Sequence, residues 1–242
     1  MQEVRGMRNF LLTLWNYSES INRENFLSLL EKDSSAKILD LGCDNGEFTI
    51  ESSKIIGTKA IYGLDVVEER LSKSEEKGIK IIQSDLNKEL PIKDNFFDVI
   101  ISNQVIEHLI DVDLFVEEIY RILKPGGYAV ISTENLASWH NIFALLLGQQ
   151  AFSQTISKKS HVGCKLSPHY YENTGGWGKN KGPIHNRIFA YGGLKEIFEL
   201  YQFKVEALLG SGYYPMPTRS LMKITGRIDP RHTHFITIKV RR

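Results

Sequence analysis

This 242-residue sequence has few cysteines and almost no excess of either charge. Each of these two properties argues against a class of protein. The two cysteines, Cys43 and Cys164, are too few for the disulfide framework of a small secreted domain. The 30 lysine and arginine residues nearly balance the 29 aspartate and glutamate residues, so the net charge favours neither nucleic acid nor an anionic membrane as a partner. A chain of this length can bury the core of one sizeable domain.

Long hydrophobic runs are missing as well. The longest apolar run near the N-terminus, Phe10 to Trp15, is too short for a signal peptide or a membrane span. The sequence contains no internal repeat and no low-complexity tract. It therefore predicts a cytoplasmic protein without a transmembrane segment, whose residues 1–242 form a single domain.

Short β-branched segments alternate with helical patterns over the first 135 residues. These segments are apolar on both faces, as buried parallel strands are. They predict strands at 37–42, 60–65, 79–84, 97–102 and 127–133. Helices are predicted at 47–55, 67–77, 111–123, 139–147 and 193–201, and the last strand at "HFITIKVRR". This order predicts an α/β fold with a doubly wound, mostly parallel sheet, and residues 1–35 add one or two helices over its edge.

Polar residues stand where the first four strands end, and that is where a doubly wound sheet binds its ligands. The first strand runs into the glycine turn of "ILDLGCDNGEFT". The second strand ends at Asp65, the third at Asp85, and the fourth in Ser102-Asn103-Gln104. One aspartate at a strand end is often only a turn former. Together with the glycine turn, these residues predict a ligand site.

The glycine turn lacks the G-x-G-x-x-G pattern of dinucleotide-binding proteins. It offers only Gly42 and Gly46, and Asp40 and Asp44 would repel a pyrophosphate. An NAD-dependent oxidoreductase is therefore disfavoured. A ligand with a cationic end and a ribose diol near Asp65 fits better, and S-adenosylmethionine has both.

The chain resembles class I S-adenosylmethionine-dependent methyltransferases of the type 11 family. The matching segments are "ILDLGCDNG", "IYGLD", "QSDLN", "FFDVIISNQVIEHLID" and "RILKPGGYAVIST", which cover residues 37 to 133 in the order of the family. The resemblance implies a Rossmann-like methyltransferase fold with a seven-stranded sheet. It also implies that S-adenosylmethionine is the cofactor and S-adenosylhomocysteine the product.

The resemblance further implies a set of cofactor contacts. The backbone at Gly42 and Cys43 approaches the methionine moiety, and Asp40 holds the turn or, through water, the ammonium group. Asp65 takes the ribose hydroxyls and Asp85 accepts from the adenine amino group. The predicted cofactor-binding residues are Asp40, Gly42, Cys43, Asp44, Gly46, Asp65, Val66, Asp85, Leu86, Asn103, Gln104 and His108. Asp44 departs from the family pattern, in which many members have glycine.

Two histidines are candidate general bases, each with a structural alternative. His108 follows the fourth strand on the side where the methyl group should point, but it could instead fix the loop before the next helix. His185 lies in a segment, "HNRIFAYGGLKEIF", that enters a helix in many type 11 relatives. It is predicted as a base or an acceptor contact, with a structural hydrogen bond as the alternative.

Residues 136–190 form a connection far longer than usual, which predicts a lid or a specificity element on the acceptor side. Three interpretations remain open: a lid over a polar or anionic acceptor, a zinc site at His161, Cys164 and His169, and a solvated loop. The zinc spacing lacks a paired C-x-x-C, so no metal is predicted. The predicted acceptor contacts are Tyr170, Tyr171, Trp177 and Arg187.

The residues at the end of the fourth strand indicate which atom of the acceptor is methylated. Where amino-methyltransferases of adenine and glutamine carry an N-P-P-Y type of motif, this chain has Ser102-Asn103-Gln104-Val105. The sequence therefore predicts O-methylation of a small molecule, with a sugar or glycan precursor favoured over a lipid or quinone. A catalytically silent S-adenosylmethionine-binding module is the alternative. A homodimer is possible, and no nucleic-acid partner is expected.

Overall fold

The computed structural model describes residues 2–157, 162–165, 167 and 184–242. Its strands are β1 Lys37–Leu41, β2 Ala60–Asp65, β3 Lys80–Gln83, β4 Phe97–Asn103, β5 Leu123–Glu134, β6 Lys204–Ser211 and β7 Phe235–Arg241. They form one sheet in the order β3-β2-β1-β4-β5-β7-β6. β1 to β5 pair in parallel, whereas β7 runs antiparallel to β5 and β6. The predicted doubly wound, mostly parallel seven-stranded sheet is confirmed.

The helices connect the strands and cover both faces of the sheet. They are α1 Gln2–Ser28, α2 Glu47–Ile56, α3 Glu68–Glu75, α4 Val112–Ile122, α5 Trp139–Leu146, α6 Tyr191–Leu200 and α7 Arg219–Ile228. Among the described residues, two short 3₁₀ turns lie at Ile106–His108 and Pro230–His232. None of the helices in the described ranges combines the length and the hydropathy that a membrane span requires.

Alternate residues of the central strands bury into opposite faces of the sheet. Ile100 of β4 packs with Phe115 and Ile119 of α4 on one face. Ile101, the next residue of β4, packs on the other face with Phe26 of α1. Burial of a side chain such as Phe26 contributes roughly 1.5–3 kcal/mol. This two-sided burial explains why the strands read as continuous apolar runs.

Residues 2–28 form a single helix, where the sequence predicted one or two helices over the edge of the sheet. α1 contacts the edge strand β6, but it also crosses β7 and β5 and packs against α7. Phe26 of α1 and Leu30, just after the helix, lie in the same apolar cluster as Ile38 and Val130. α1 thus lies over the β6 edge, as expected, and also extends over β7 and β5 on one face of the sheet.

β5 begins earlier than the predicted strand at 127–133. α4 ends at Ile122, and Leu123 already pairs with Phe97 of β4. A register shift between Phe97 and Val99 accommodates the Lys124-Pro125-Gly126-Gly127 segment within the strand. This segment is therefore an irregularity in the strand pairing.

Candidate active site

A cavity of about 520 Å³ lies at the carboxyl ends of β1, β2, β3 and β4. Its volume is within the range of small-molecule sites. Of the predicted cofactor residues, the structure brings together at this cavity Gly42, Asp44, Asp65, Val66, Asp85, Leu86, Asn103, Gln104 and His108. The remaining wall, which sequence reasoning did not include, is formed by Leu64, Val67, Arg70, Ser84, Asn87, Val105 and Leu109. We call this space the cofactor cavity.

The glycine turn after β1 presents backbone to the cofactor cavity. Gly42 has a φ of +83°, and a Cβ atom built there would lie 2.5 Å from Cγ2 of Val105. The N–H groups of Gly42 and Cys43 both donate to the carbonyl of Leu64, at 2.8 and 3.0 Å, which binds the turn to β2. Only glycine satisfies both the backbone conformation and the space.

Asp65 is fixed by the backbone of two neighbouring turns. The N–H of Val67 donates to its Oδ1 at 2.9 Å, and the N–H of Asp44 donates to its Oδ2 at 3.1 Å. The residue is buried and lines the cofactor cavity. A carboxylate has about four lone-pair sites, so Asp65 retains acceptor capacity for the hydroxyls of a ligand.

Asp44 and Asp85 each have a partner at the rim of the cofactor cavity. Asp44, the departure from the family pattern, pairs with Nε of Arg70 at 3.1 Å. Asp85 accepts from the backbone N–H of Asn87 at 3.0 Å and from its side-chain amide at 3.1 Å. The backbone hydrogen bond lowers the pKa of Asp85. Oδ1 of Asn87 also accepts from the N–H of Ile110 at 2.7 Å, so this asparagine joins two loops of the cavity wall.

Three predicted cofactor residues support the turn from behind and do not line the cavity. Oδ2 of Asp40 accepts from the Thr49 hydroxyl at 2.6 Å, which ties β1 to α2, and burial raises the pKa of Asp40 to about 7. Cys43 is buried beside Gly63, and burial raises the pKa of its thiol to about 12. A Cβ atom at Gly46 would collide with Ile79.

A second cavity of about 540 Å³ adjoins the cofactor cavity. The two cavities share Asn103, Gln104 and His108. The rest of its lining comes from Trp15, Asn16, Glu19, Ser20, Asn22, Arg23, Glu107, Glu134, His185 and Phe235. We call this space the acceptor cavity. Its α1 residues were not predicted, because nothing in the sequence shows which helix closes over the sheet.

The structure brings His108 and His185 together although they are 77 residues apart in the chain, with ring centroids separated by 4.8 Å. The segment at 184–187 is tied to the 3₁₀ turn after β4. The N–H groups of Asn186 and Arg187 donate to the carbonyl of Glu107 at 2.7 and 3.0 Å. The Asn186 side-chain amide donates to the carbonyl of His108 at 2.6 Å.

Two buried glutamates accompany these histidines, and sequence reasoning selected neither as a site residue. Oε2 of Glu107 accepts from the Thr133 hydroxyl at 2.9 Å, and burial raises the pKa of Glu107 to about 7. Burial also lowers the pKa of His108 to about 4. Glu134 lies 3.5 Å from Nδ1 of His185. Although burial opposes it, this pairing raises the pKa of His185 and lowers the pKa of Glu134.

The other predicted acceptor-side residues are not at this cavity in the described part of the chain. The Arg187 side chain is exposed and lines a separate surface pocket with Asp111 and Phe189. Tyr170, Tyr171 and Trp177 lie outside the described residues, as do His161 and His169 of the disfavoured zinc site.

Comparison with known proteins relates part of the chain to methyltransferases. Residues 39–131 match the family model described as a methyltransferase domain. A demethylmenaquinone methyltransferase of Staphylococcus carnosus is 32% identical over 114 residues, which are 45% of this chain and 47% of the relative. A mitochondrial ubiquinone biosynthesis O-methyltransferase of Rattus norvegicus is 26% identical over 150 residues, which are 58% of this chain and 43% of the relative. The chain thus spans less than half the length of either relative.

Solved structures agree with this result at the level of the fold. An S-adenosylmethionine-dependent methyltransferase from Mesorhizobium loti superposes with a TM-score of 0.61 and 19% identity, covering 90% of this chain and 96% of that one. A possible histamine N-methyltransferase from Thermotoga maritima gives a TM-score of 0.59 at 15% identity, covering 98% and 95%. Residues 39–131 thus match a methyltransferase domain, and the described sheet has the fold of solved S-adenosylmethionine-dependent methyltransferases.

Proposed function

We propose that this chain transfers the methyl group of S-adenosylmethionine to a hydroxyl oxygen of a small polar molecule held in the acceptor cavity. The main support for this proposal is that the two cavities meet at Asn103, Gln104 and His108, which line both of them. We call this meeting point the junction. A donor on one side of this junction and an acceptor on the other can meet there. Because holding two reactants together supplies roughly 7–11 kcal/mol of the barrier reduction, this geometry is a major part of catalysis.

The residues of the cofactor cavity suit S-adenosylmethionine. A side chain at Gly42 would collide with Val105, which lines the cavity, so glycine keeps this wall in place for the methionine moiety. Asp65 binds the ribose hydroxyls with the acceptor capacity left by its two backbone partners. Asp85, fixed by Asn87, accepts from the adenine amino group. When bound, this cofactor supplies an electrophilic methyl group on a sulfonium whose sulfur leaves as a thioether.

The lining of the acceptor cavity supports a polar, hydroxyl-bearing acceptor. Asn16 and Ser20 of α1 offer an amide and a hydroxyl, and Arg23, which pairs with Glu51, adds a cation. We therefore favour a sugar or glycan precursor. As the hydroxyl oxygen bonds to carbon, its proton must leave to a group of the acceptor cavity or to water.

A quinol-type ring is the second candidate acceptor. Two observations favour it. The chain is similar in sequence to a demethylmenaquinone methyltransferase and a ubiquinone biosynthesis O-methyltransferase. The Trp15 and Phe235 side chains also line the acceptor cavity. Aromatic faces stack on planar rings as well as on the apolar faces of sugars. A cytoplasmic location, a homodimer and a silent cofactor-binding module stay predictions of the sequence.

The test of this proposal is a transfer assay with S-adenosylmethionine that carries a deuterated methyl group. The purified chain is incubated with sugars, quinols and amines, and products are analysed by mass spectrometry. We expect the label in a methyl ether. Label found only on nitrogen would overturn the O-methylation. Absence of cofactor binding in calorimetry would overturn the whole proposal.

A matched pair of variants controls for folding in this assay. Asp65→Ala removes a carboxylate that lines the cofactor cavity, whereas Asp113→Ala removes an exposed carboxylate at the start of α4 that bonds Tyr201. We expect transfer to be lost in the first variant and retained in the second. Equal activity of the two variants would contradict the assigned role of Asp65.

A further inference from the structure

We propose that Glu107, His108 and His185 form a binding site for a divalent transition-metal cation that holds the acceptor hydroxyl. In its use of the cation, the inference rests on the methyl transfer proposed above. The site itself is a separate claim about these three side chains. One ligand atom from each residue lies within 4.8 Å of the other two. Two ligands of one cation are at most about 4.2 Å apart, so binding needs only small movements of the side chains.

Both imidazoles are oriented as metal ligands usually are. Nδ1 of His108 lies 3.1 Å from the carbonyl of Ile184, and Nδ1 of His185 lies 2.7 Å from the carbonyl of Ser153. A carbonyl accepts hydrogen bonds, so each Nδ1 carries a proton, and Nε2 of each ring is the atom left to bind a cation once the ring is neutral. Histidines that bind metals almost always donate their other N–H to a carbonyl or a carboxylate.

The carboxylates of Glu107 and Glu134 have different roles at this site. Glu107 is buried, and its Oε2 is held by the Thr133 hydroxyl, which leaves the other oxygen as a ligand. Glu134 is also buried and lies on the Nδ1 side of His185, at 3.5 Å. It therefore supports the orientation of a ligand and need not contact the cation. Carboxylate–histidine–metal arrangements of this kind are frequent.

The donor set indicates the class of cation. Two imidazole nitrogens with one carboxylate suit Zn²⁺, Fe²⁺ or Co²⁺, whereas Mg²⁺ and Ca²⁺ prefer oxygen ligands. Three protein ligands leave coordination positions open. All three residues line the acceptor cavity, and His108 also lines the cofactor cavity. The open positions are therefore available to an acceptor at the junction.

A cation at this place explains how a hydroxyl loses its proton. Coordination lowers the pKa of a bound hydroxyl, so the proton passes to solvent water and the oxygen becomes nucleophilic. The oxygen then forms its bond to the methyl carbon as the carbon–sulfur bond breaks. No oxidation or reduction occurs, so any of these cations serves without a redox partner.

Cobalt binding tests the site directly. Tag-free protein is treated with a chelator and titrated with Co²⁺ while visible absorption is recorded. We expect one equivalent to bind, and we expect His185→Gln and Glu107→Gln to weaken binding by more than about tenfold. His232→Ala is the matched control, because His232 also contacts a carboxylate, Asp229, at 2.8 Å but lies outside both cavities. This variant should bind Co²⁺ as the wild type does.

Two results would overturn the site: no Co²⁺ binding by the wild type, or binding that is unchanged in His185→Gln. His185 is only half-buried, so its variant tests the site even if Glu107→Gln fails to fold. Calorimetry with S-adenosylmethionine on the chelated protein separates this inference from the proposed function. If methyl transfer proceeds at the same rate after chelation, the cation has no role in catalysis. If transfer stops and Zn²⁺ or Co²⁺ restores it, the role stands.

Discussion

The cofactor cavity and the acceptor cavity differ in how the chain builds them. The cofactor cavity takes its lining from residues between Gly42 and Leu109, at the ends of four consecutive parallel strands. The acceptor cavity draws on α1, the end of β5 and the segment around His185. A site made of successive strand ends follows from the fold itself, whereas a site closed by distant segments depends on how those segments pack.

We expect the largest effect from a substitution in the cofactor cavity, whose lining comes from successive strand ends. Asp65→Ala removes the carboxylate assigned to both ribose hydroxyls. A hydrogen bond to a charged group contributes about 1.5–3 kcal/mol, so we expect the affinity for S-adenosylmethionine to fall by about 100-fold or more. Calorimetric titration measures this loss. Asp65→Asn keeps the shape and should lose less, and an unchanged affinity in Asp65→Ala would contradict the assignment.

Two glycines with a similar positive φ, one beside the cofactor cavity and one away from it, allow a second test. Gly42 and Gly57 have φ values of +83° and +86°, but a Cβ atom at Gly57 would meet no atom within 4 Å. Gly42→Ala and Gly57→Ala therefore share a conformational cost of about 1–2 kcal/mol. Only Gly42→Ala must also displace Val105, which costs roughly 1–3 kcal/mol more.

We expect cofactor affinity to fall by about tenfold or more in Gly42→Ala and to stay at the wild-type value in Gly57→Ala, because only the first substitution reshapes the cavity wall. Thermal unfolding and calorimetry on both variants measure the two effects. Equal affinities would show that the turn does not contact the cofactor.

The extent to which the sequence predicts this molecule follows the same division. Strand β2 was predicted at its observed bounds, and helix α2 within one residue, because local periodicity and turn residues determine them. Asp65 and Asp85 were found because aspartates at strand ends stand out. Arg70 was missed because a basic residue in an exposed helix carries no signal of its own.

The acceptor cavity was hardly predicted, for a physical reason. His108 and His185 were selected singly, but their contact depends on hydrogen bonds from Asn186 and Arg187 to Glu107, a residue far away in the sequence. The α1 lining depends on which face of the sheet that helix covers. Contacts of this kind leave no periodic pattern, so composition and spacing cannot reveal them.

A smaller effect concerns the attachment of α1 to the acceptor side. Asn22 of α1 is buried, its Oδ1 accepts from Ser132 at 3.0 Å and from Thr237 at 2.9 Å, and its amide donates to Asn103 at 3.4 Å. Asn22→Ala leaves buried hydroxyls without this partner, so we expect the free energy of unfolding to fall by about 1–3 kcal/mol.

Denaturant unfolding measures the change in Asn22→Ala, with Asn16→Ala as the matched control. Asn16 is exposed on the same helix, and its substitution should change the free energy of unfolding by no more than about 0.5 kcal/mol. If both variants unfold like the wild type, α1 is not held to the sheet through Asn22.

A pH dependence of stability arises behind the cofactor cavity. Burial raises the pKa of Asp40 from 3.8 to about 7, so the folded state binds more protons than the unfolded state between these values. The free energy of unfolding should therefore fall as pH rises from 5 to 7, by up to about 1.4 kcal/mol per pH unit from this group. Asp40→Asn keeps an oxygen for the Thr49 hydroxyl and removes the titration of Asp40, so its curve of unfolding free energy against pH should be flatter.

The curve of Asp40→Asn should not become flat, because Glu107 has a raised pKa as well. Parallel pH curves for Asp40→Asn and the wild type would show that Asp40 does not titrate in this range.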